Sequence, residues 1–276
     1  MGIFQALILG TVQGLTEFLP VSSSAHLNLF PWVFNWEEMG DGFDVALHIG
    51  TLLAVVLFFY KDWIKLIKGG YEQVRYKKKT TEGRIFWYII FATIPTGILC
   101  LVFDKLSEKM TEILAGIFGT TFMSAEMLLI AIALIVMGIL LYVVDKKSKA
   151  TIDYKQITFK QSLWIAMSQA LAAAFPGVSR SGITMTVGRK MGLKREAIAK
   201  YSFLLSTPVI AAAALFKIKD FVFGVPFFIG ILVSFIVGML VIKFLLKYLQ
   251  KGDFKVFAVY RVVLGIIVLV LFFTRM

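Results

Sequence analysis

Two short polar segments interrupt the long apolar stretches of this chain, and the first, residues 13–26, combines a carboxylate with hydroxyls and an imidazole. Gln13 and Glu17 are four residues apart and would share one face of a helix. Ser23 and His26, three apart, would share a face in the same way. Because a hydroxyl close to a base is the arrangement of an activated nucleophile, we predict catalytic roles for Glu17, Ser23 and His26.

The alternative for this segment is purely structural. Ser22, Ser23 and Ser24 could simply cap the helix that follows, and His26 could be a buried histidine whose hydrogen bonds are satisfied. Glu17 is the residue that this alternative explains least well, because an ionisable side chain within a membrane is costly and is usually functional.

The second polar segment, residues 176–184, has the composition of an anion-binding turn. Its two glycines allow a tight turn or a close approach to a ligand, and serine hydroxyls and helix N–H groups could donate to an anion. Arg180 adds a permanent charge whose planar fork fits phosphate oxygens in a bidentate manner. The alternative is a helix-breaking turn whose arginine extends to the membrane surface. The predicted anion-binding residues are Gly177, Ser179, Arg180, Ser181 and Thr184, together with Gln13, Ser22 and Ser24 of the first segment.

Together the two segments offer a nucleophile and an anion clamp. This combination favours hydrolysis of a phosphate ester or a pyrophosphate on a substrate embedded in lipid. Glu17 and Gln13 could also hold a divalent cation, Mg²⁺ or Ca²⁺, with pyrophosphate oxygens and water completing the coordination shell. Two alternatives remain open: a lipid carrier or flippase that binds the anion without hydrolysis, and a non-catalytic lipid-binding protein.

The composition indicates a helical membrane protein. The chain has 276 residues, of which 59% are hydrophobic, and a mean hydropathy of +0.83, whereas soluble domains are nearer half apolar. Its net charge of +12 fits the lysine and arginine enrichment of cytoplasmic loops, so we expect a membrane, and not nucleic acid, as its partner. The single cysteine, Cys100, excludes an intrachain disulfide and a cysteine-cluster metal site.

We predict an all-α polytopic membrane protein with six full transmembrane helices and two re-entrant helical hairpins. Several apolar runs approach the roughly 20 residues needed to cross a bilayer, whereas segments 3–36 and 159–193 have shorter arms broken by proline. Such arms suit hairpins that enter the membrane and return to the same face, buried against protein; the alternative is two ordinary spans in each segment. The six predicted spans are Asp44–Tyr60, Arg84–Phe103, Thr121–Val144, Ala197–Phe216, Phe223–Leu246 and Phe257–Phe273.

The chain also repeats itself. A shift of 156 residues places Gln13 on Gln169. The same shift places Ser23 on Ser179. Three full spans separate equivalent points, and an odd number of crossings inverts the second repeat relative to the first. The two hairpins would then enter from opposite faces and meet near the midplane, as in transporters built from inverted-topology repeats. The predicted single domain covers 1–276, with a first repeat at 1–150 and a second, inverted repeat at 151–276.

The distribution of basic residues orients this topology. Four segments, 61–84, 145–160, 189–200 and 243–255, hold 22 of the 29 Lys and Arg residues. By the positive-inside rule these loops are cytoplasmic, and both termini lie outside.

The remaining polar residues of the spans receive structural interpretations. We expect Arg261 to lie near the cytoplasmic end of the last span and to extend toward the surface. Asp44 and Glu126 are expected to face headgroups at span ends. For His48 we favour a hydrogen-bonded core position over a place beside the site.

Both polar segments resemble motifs of the undecaprenyl-pyrophosphate phosphatase family, also called bacitracin-resistance proteins. The first is similar to that family's Glu/Gln-x-x-x-Glu and Pro-Val-Ser-Ser-x-x-His pattern, and the second to its Pro-Gly-x-Ser-Arg-Ser-x-x-Thr pattern. The resemblance extends over nearly the whole chain. The matching residues are Gln13, Glu17, Ser23, His26, Pro176, Gly177, Ser179, Arg180, Ser181 and Thr184.

The resemblance implies a specific activity. Members remove the terminal phosphate of the C55 isoprenyl pyrophosphate carrier at the outer side of the bacterial cytoplasmic membrane, recycle the carrier for cell-wall synthesis and require a divalent cation. The expected partner is therefore a polyprenyl pyrophosphate lipid, and the expected site opens to the extracytoplasmic side. By the same resemblance Arg180 grips phosphate, Glu17 acts on the cation or as acid and base, and Ser23, or else His26, attacks phosphorus.

Gln13 departs from those members that have glutamate at this position. A neutral side chain can ligate or donate but cannot supply charge, which places more weight on Glu17. The sequence does not decide between a monomer and a homodimer.

Overall fold

The computed structural model describes residues 2–36 and 40–275, and the regular structure in these ranges is helical. Ile152 and Leu193 form an isolated β-bridge. The predicted all-α class is confirmed. The helices are α1 (Ile3–Thr16), α2 (Ser23–Phe34), α3 (Asp41–Phe58), α4 (Tyr60–Arg75), α5 (Thr81–Phe118), α6 (Phe122–Lys147), α7 (Phe159–Ser168), α8 (Leu171–Ala174), α9 (Arg180–Lys190), α10 (Arg195–Phe216), α11 (Val225–Leu249) and α12 (Lys255–Arg275), with short 3₁₀ turns at Tyr154–Gln156 and Ile218–Asp220.

Several of these helices could cross a membrane. In the described ranges, α5, α6, α10, α11 and α12 are long and apolar enough to do so. A sixth candidate is Gly42–Phe58 taken together with α4, although the two are bent by 75° at the break between them. The chain is therefore a multi-pass membrane protein, and the arrangement of six spans with two re-entrant hairpins stays a prediction.

The two polar segments lie between helices that are shorter than a span. α1 has 14 residues, which at 1.5 Å per residue gives about 21 Å of helix against a hydrocarbon core of about 30 Å. α7 has 10 residues and is followed by the single turn α8. Pro20 and Pro176 lie in the turns that follow, and the second arms α2 and α9 begin at Ser23 and Arg180.

Helices that the predicted repeat relates to each other contact corresponding partners, and the repeat itself stays a prediction. α1 lies against α11 and α7 lies against α5, while α6 contacts α12 and α3 contacts α10. The largest cluster of buried apolar residues includes Phe18, Phe203 and Ile242. Because Phe18 directly follows Glu17 in the chain, this core directly supports the polar residues of the first turn.

The correspondence between the two turns differs from the predicted one. Ser22 and Ser179 occupy matching positions, since each Oγ accepts the N–H of the residue three positions further on and so caps the helix. The shift of 156 residues pairs Ser23 with Ser179, which is wrong at this point. Gly177 adds one residue between the proline and the cap, so the second turn is longer.

Two helices differ from the predicted spans. α5 continues past Phe103 to Phe118 and ends at Gly119, whose left-handed φ of 60° terminates the helix. Segment 61–84 was predicted only as a basic loop, yet it contains most of α4. Lysines are interspersed among the apolar residues of α4. A search for continuous apolar runs therefore does not detect this helix.

A buried ion-pair network joins four helices on the basic side of the molecule. Asp145, 5% exposed, accepts from Nε of Arg189 at 2.6 Å and from Nε of Arg195 at 2.9 Å. The backbone N–H of Phe254 donates to the other carboxylate oxygen at 3.4 Å. Asp145 therefore connects the end of α6 to α9, α10 and the start of α12.

Asp145→Asn is expected to lower the free energy of unfolding by about 3–5 kcal/mol, because it leaves the buried guanidinium of Arg189 without its counter-charge. Thermal unfolding of the purified protein in detergent measures the loss. Asp62→Asn is the matched control, since its pair with Lys200 is partly exposed and should contribute about 1 kcal/mol or less. Equal shifts in the two variants would show that the Asp145 network is not stabilising.

Candidate active site

The carboxylate of Glu17 is the centre to which both polar turns converge. Glu17 is 8% exposed, and its Oε2 accepts from Ser23 Oγ at 2.6 Å and from Gln13 Nε2 at 3.1 Å. Its Oε1 accepts from the Arg180 guanidinium at 2.7 Å. The structure thus brings together the predicted carboxylate, hydroxyl, amide and guanidinium, although Ser23 and Arg180 are 157 positions apart in the chain.

His48 also lies at this carboxylate, which corrects the preferred core interpretation. Its Nδ1 lies 2.7 Å from the backbone oxygen of Asp44, and because a carbonyl only accepts, Nδ1 carries the hydrogen. Its Nε2 is left facing Glu17 Oε2 at 3.4 Å. The core hydrogen bond was expected, but the place beside the site depends on the packing of α3 against α1, which the sequence does not specify.

Both α2 and α9 begin at the site. Ser22 and Ser179, the two caps, have φ values of 78° and 71°, a region in which non-glycine residues are uncommon and which is often found at functional sites. These conformations direct the starts of α2 and α9 at Glu17, since Ser23 and Arg180 are their first residues. Two helix N-termini, each with a partial positive charge and N–H groups without helical partners, therefore converge on one place that favours an anion.

The remaining serines tie the two turns together. Ser181 Oγ contacts the backbone oxygens of Glu17 at 3.2 Å and Leu19 at 3.1 Å, so the second turn donates to the first. Ser24 Oγ lies 3.2 Å from Ser22 Oγ, and Ser181 Oγ lies 3.2 Å from Ser179 Oγ. These hydroxyls hold the turns in place.

His26 lies close to Ser23 in the chain but hydrogen-bonds elsewhere. Its Nδ1 lies 2.6 Å from the Ser22 backbone oxygen and therefore donates to it. Its Nε2 lies 2.6 Å from the Tyr260 hydroxyl, which donates to the neutral ring, and the two rings are stacked. The predicted assistance of Ser23 by His26 is not made by a hydrogen bond, because Ser23 Oγ donates to Glu17.

Arg261 was expected at the membrane surface, and this expectation is wrong. Its side chain is 0% exposed and donates to the backbone oxygens of Pro20 at 3.1 Å, Gly177 at 2.8 Å and Val178 at 3.0 Å. The turns leave these carbonyls outside the helical hydrogen-bond ladder, so buried donors must come from another element. α12 supplies them by passing behind both turns, which fixes one turn relative to the other.

We expect Arg261→Met to lower the unfolding midpoint, because three buried carbonyls lose their donor, each at a cost of about 1–3 kcal/mol. Arg261→Lys should restore part of this loss, since an ammonium can still reach one or two carbonyls. Thermal unfolding of the purified protein in detergent measures the effect. A wild-type midpoint for Arg261→Met would contradict this structural role.

Thr184 is not placed toward the site. It is 1% exposed, and its hydroxyl contacts the backbone oxygens of Arg180 and Ser181 and lies 2.6 Å from Ser202 Oγ. Gln169, the repeat counterpart of Gln13, is buried and lines a small cavity together with Glu17 and Arg180. The repeat was the sequence signal that could have identified Gln169.

Asp44 and Glu126 line a polar cavity of about 330 Å³ next to α2. Their predicted place facing headgroups stays a prediction. Glu126 also accepts from the Asn28 amide at 2.8 Å. α2, α3 and α6 bring these residues together, and further acidic residues, Asp104 and Glu108 of α5, complete the wall.

The oxygens around Glu17 fit a divalent cation that is shared with a ligand. Gln13 is 0% exposed, and its Oε1 is buried without a hydrogen-bond partner, which is the state of an atom available for coordination. Carboxylate and amide oxygens are ligands that Mg²⁺ and Ca²⁺ accept. Among residues 2–36 and 40–275, no group of three or more His, Cys, Asp or Glu side chains is placed to hold a metal alone, so phosphate oxygens and water would have to complete the shell.

The fold and this site define a polytopic helical membrane protein with a buried ionisable centre between two polar turns. Residues 6–267 match the family described as Bacitracin resistance protein BacA. The chain belongs to this family, which confirms the resemblance carried by the two motifs.

Curated relatives support the same assignment over nearly the whole of this chain. The chain is 47% identical over 274 residues to a protein of Pelotomaculum thermopropionicum named undecaprenyl-diphosphatase, covering 98% of this chain and 97% of the relative. It is 44% identical over 278 residues to one of the same name from Moorella thermoacetica, covering 100% of both chains. A further relative so named, from Myxococcus xanthus, is 37% identical over 279 residues, which are 98% of this chain and 89% of that protein.

Proposed function

We propose that this chain hydrolyses undecaprenyl pyrophosphate to undecaprenyl phosphate and inorganic phosphate, recycling the lipid carrier of cell-wall synthesis. The observation that carries the proposal is the shared carboxylate: Glu17 accepts the Ser23 hydroxyl at 2.6 Å and the Arg180 guanidinium at 2.7 Å. The family and the printed names of the relatives supply the substrate. A hydroxyl on a base beside a guanidinium supplies the chemistry for a phosphoanhydride.

In the proposed first step, Ser23 Oγ attacks the terminal phosphorus. Glu17 accepts the hydroxyl proton along the existing 2.6 Å hydrogen bond. The bond between the terminal phosphorus and the bridging oxygen breaks, and undecaprenyl phosphate leaves with that oxygen. Glu17 then passes that proton to the leaving phosphate and is ionised again. In the second step the ionised Glu17 takes a proton from the water that attacks the phosphoserine, the bond between phosphorus and Ser23 Oγ breaks, and Glu17 returns the proton to Ser23 Oγ as inorganic phosphate is released.

Arg180 would exchange partners when substrate binds. Its side chain is 26% exposed, so its fork can reach an entering phosphate, and transfer of its charge from Glu17 to that phosphate frees the carboxylate to act as a base. The N-termini of α2 and α9 add N–H groups on the same side. Ser22, Ser24, Ser179 and Ser181 support the proposed site by shaping the two turns, and Gly177 by its left-handed φ of 95°.

Glu17 and Gln13 are the residues that would hold a divalent cation, Mg²⁺ or Ca²⁺. When bound, the ion would neutralise charge on the pyrophosphate and on the leaving phosphate. The side-chain amide of Gln13 donates from Nε2 to Glu17 at 3.1 Å. Its Oε1 would therefore be the atom that coordinates the cation.

The hydrogen bonds favour Ser23 over His26 as the nucleophile. Both ring nitrogens of His26 have partners, Ser22 and Tyr260, so a phosphohistidine would require the Tyr260 contact to break. His26 is proposed instead to fix the Ser22 carbonyl and hence the cap from which Ser23 projects.

The proposed function is tested by phosphate release from a C55 isoprenyl pyrophosphate in detergent. Wild type, Ser23→Ala and His26→Ala are compared with and without Mg²⁺ or Ca²⁺, with thermal unfolding as a check on folding. Cation-dependent release that falls to background in Ser23→Ala and is only reduced in His26→Ala supports Ser23. The reverse ranking would assign the nucleophile to His26, and no release by folded wild type would favour a carrier without hydrolysis.

We further propose that the protein lies in the bacterial cytoplasmic membrane with both termini outside and the site open to the extracytoplasmic side. The support is the 22 of 29 basic residues on one set of loops. A topology reporter fused after Arg275 should read outside, and a cytoplasmic signal would overturn this orientation.

A further inference from the structure

α4 departs from the direction of the membrane-spanning helices. It follows α3 after a break at Phe59, and the two helices are bent by 75°. α3 covers most of the predicted span Asp44–Tyr60. A helix at 75° to that span would run roughly along the plane of the membrane. It lies in the basic segment 61–84, at the end of the bundle where lysine and arginine are concentrated.

One face of α4 is covered by protein. Leu66, Gly69 and Gly70 are buried, and the helix packs against α5. A Cβ on Gly69 would lie 2.6 Å from the backbone nitrogen of Gly83, so this contact is close. The covered face therefore fixes which sides of α4 remain exposed.

Next to the covered face runs an exposed apolar stripe, made of Tyr60, Ile64, Ile67, Tyr71 and Val74. These residues follow the three- and four-residue spacing of one helix face, and each is between 49% and 67% exposed. Two of the five are tyrosines, which are enriched where a membrane meets water.

A row of cations runs along one flank of this stripe. Lys61, Lys68 and Arg75 are spaced seven residues apart and all are exposed, so they lie on one side of the helix. Lys77, Lys78 and Lys79 follow in the loop. Glu72 is the acidic residue on this flank, and it is already paired with Lys68 and Lys78. An apolar stripe bordered by cations is the pattern of a helix that lies in the membrane interface.

We propose that α4 is an interfacial helix that binds anionic phospholipid headgroups through Lys61, Lys68 and Arg75, with the stripe Tyr60, Ile64, Ile67, Tyr71 and Val74 in the acyl boundary. The chain already spans the membrane, the 75° bend directs α4 along its plane, and the charge of the flank is complementary to an anionic surface. This inference goes beyond the proposed hydrolysis and does not depend on it.

Phosphatidylglycerol added to the full-length protein in neutral detergent tests the headgroup site. It is expected to raise the unfolding midpoint of wild type at lower concentration than phosphatidylcholine does. In the triple variant Lys61→Gln, Lys68→Gln, Arg75→Gln the half-saturating concentration should increase at least about tenfold. The matched control, Lys147→Gln, Lys149→Gln, Lys251→Gln, removes three exposed charges from the same side of the molecule and should titrate like wild type.

Equal titration of the two triple variants would overturn the assignment to α4, as would an equal response of wild type to the two lipids. Phosphate release in neutral detergent is expected to be unchanged in both variants, because none of the six residues contacts the site around Glu17. A failure of the lipid test is thereby distinguishable from a failure of the proposed hydrolysis.

The depth of the stripe is tested with a fluorophore on Ile64→Cys in a Cys100→Ser background, reconstituted in vesicles of phosphatidylglycerol and phosphatidylcholine. Lipids brominated along the acyl chain should quench this position strongly. They should quench Lys65→Cys, which lies about 100° around the helix on the flank of Lys61 and Lys68, at least about threefold less. Equal and weak quenching at the two positions would place α4 in water and would leave a soluble partner or a second copy of this chain as its occupant.

Discussion

Replacing Glu17 with glutamine is expected to lower the rate of phosphate release by about 10³-fold, in the range of a lost general base. The amide cannot accept the Ser23 proton, and it removes the negative charge that Arg180 contacts at 2.7 Å. The change conserves shape, so the hydrogen bond from Gln13 and the packing of Phe18 should remain. Release of phosphate from a C55 isoprenyl pyrophosphate at saturating substrate, with Mg²⁺ or Ca²⁺ present, measures the effect.

Glu82→Gln is the control for this variant, because it makes the same isosteric change on the surface. It breaks the ion pair between Glu82 and Lys155, which are 3.3 Å apart. We expect it to hydrolyse substrate like wild type. If Glu17→Gln retained more than about a tenth of wild-type turnover, the base would have to be another group. His48, whose Nε2 lies 3.4 Å from Glu17 Oε2, would be the next candidate.

Replacing Arg180 with lysine is expected to lower turnover by about 10²-fold or more, although the positive charge is retained. Lysine is a point charge and lacks the planar fork that holds two phosphate oxygens at once. Preorganised charge at a transferring phosphoryl group is often the largest contribution to catalysis. The same phosphate-release assay measures the change, and thermal unfolding confirms that the variant is folded.

Arg84→Lys is the control for this second variant. Arg84 is exposed and donates to the backbone oxygen of Lys155, so its replacement should leave turnover unchanged. Wild-type activity in Arg180→Lys would mean that Arg180 serves the fold through Glu17 and does not bind phosphate.

The chemistry of the site was predictable because it lies in two local motifs. The spacing of Gln13, Glu17 and Ser23 and the composition around Arg180 were enough to predict that a carboxylate, a hydroxyl and a guanidinium lie together, as they do. Most of the long helices were also predictable, since an apolar run that must satisfy its backbone in lipid has few alternatives to a helix.

Other features of the site come from elements that are far apart in the chain. Tyr260 and Arg261 are adjacent residues of a predicted apolar span, and the sequence does not show their partners. Because α12 passes behind the turns, Arg261 donates to three backbone carbonyls and Tyr260 hydrogen-bonds His26. His48 was identified, but its preferred role was wrong, because a helix sequence does not specify which face packs against α1. α4 was missed because its apolar residues alternate with lysines.

The sequence by itself therefore determined the membrane-spanning class, the family and the groups that can react, because each depends on hydropathy or on spacing within one segment. The tertiary structure decided which partner each group has. Ser23 hydrogen-bonds Glu17 and not His26, and Arg180, from the other half of the chain, pairs with the same carboxylate. It also decided the position of Arg261. These choices depend on how helices pack, and packing is set by the shapes of many distant side chains at once.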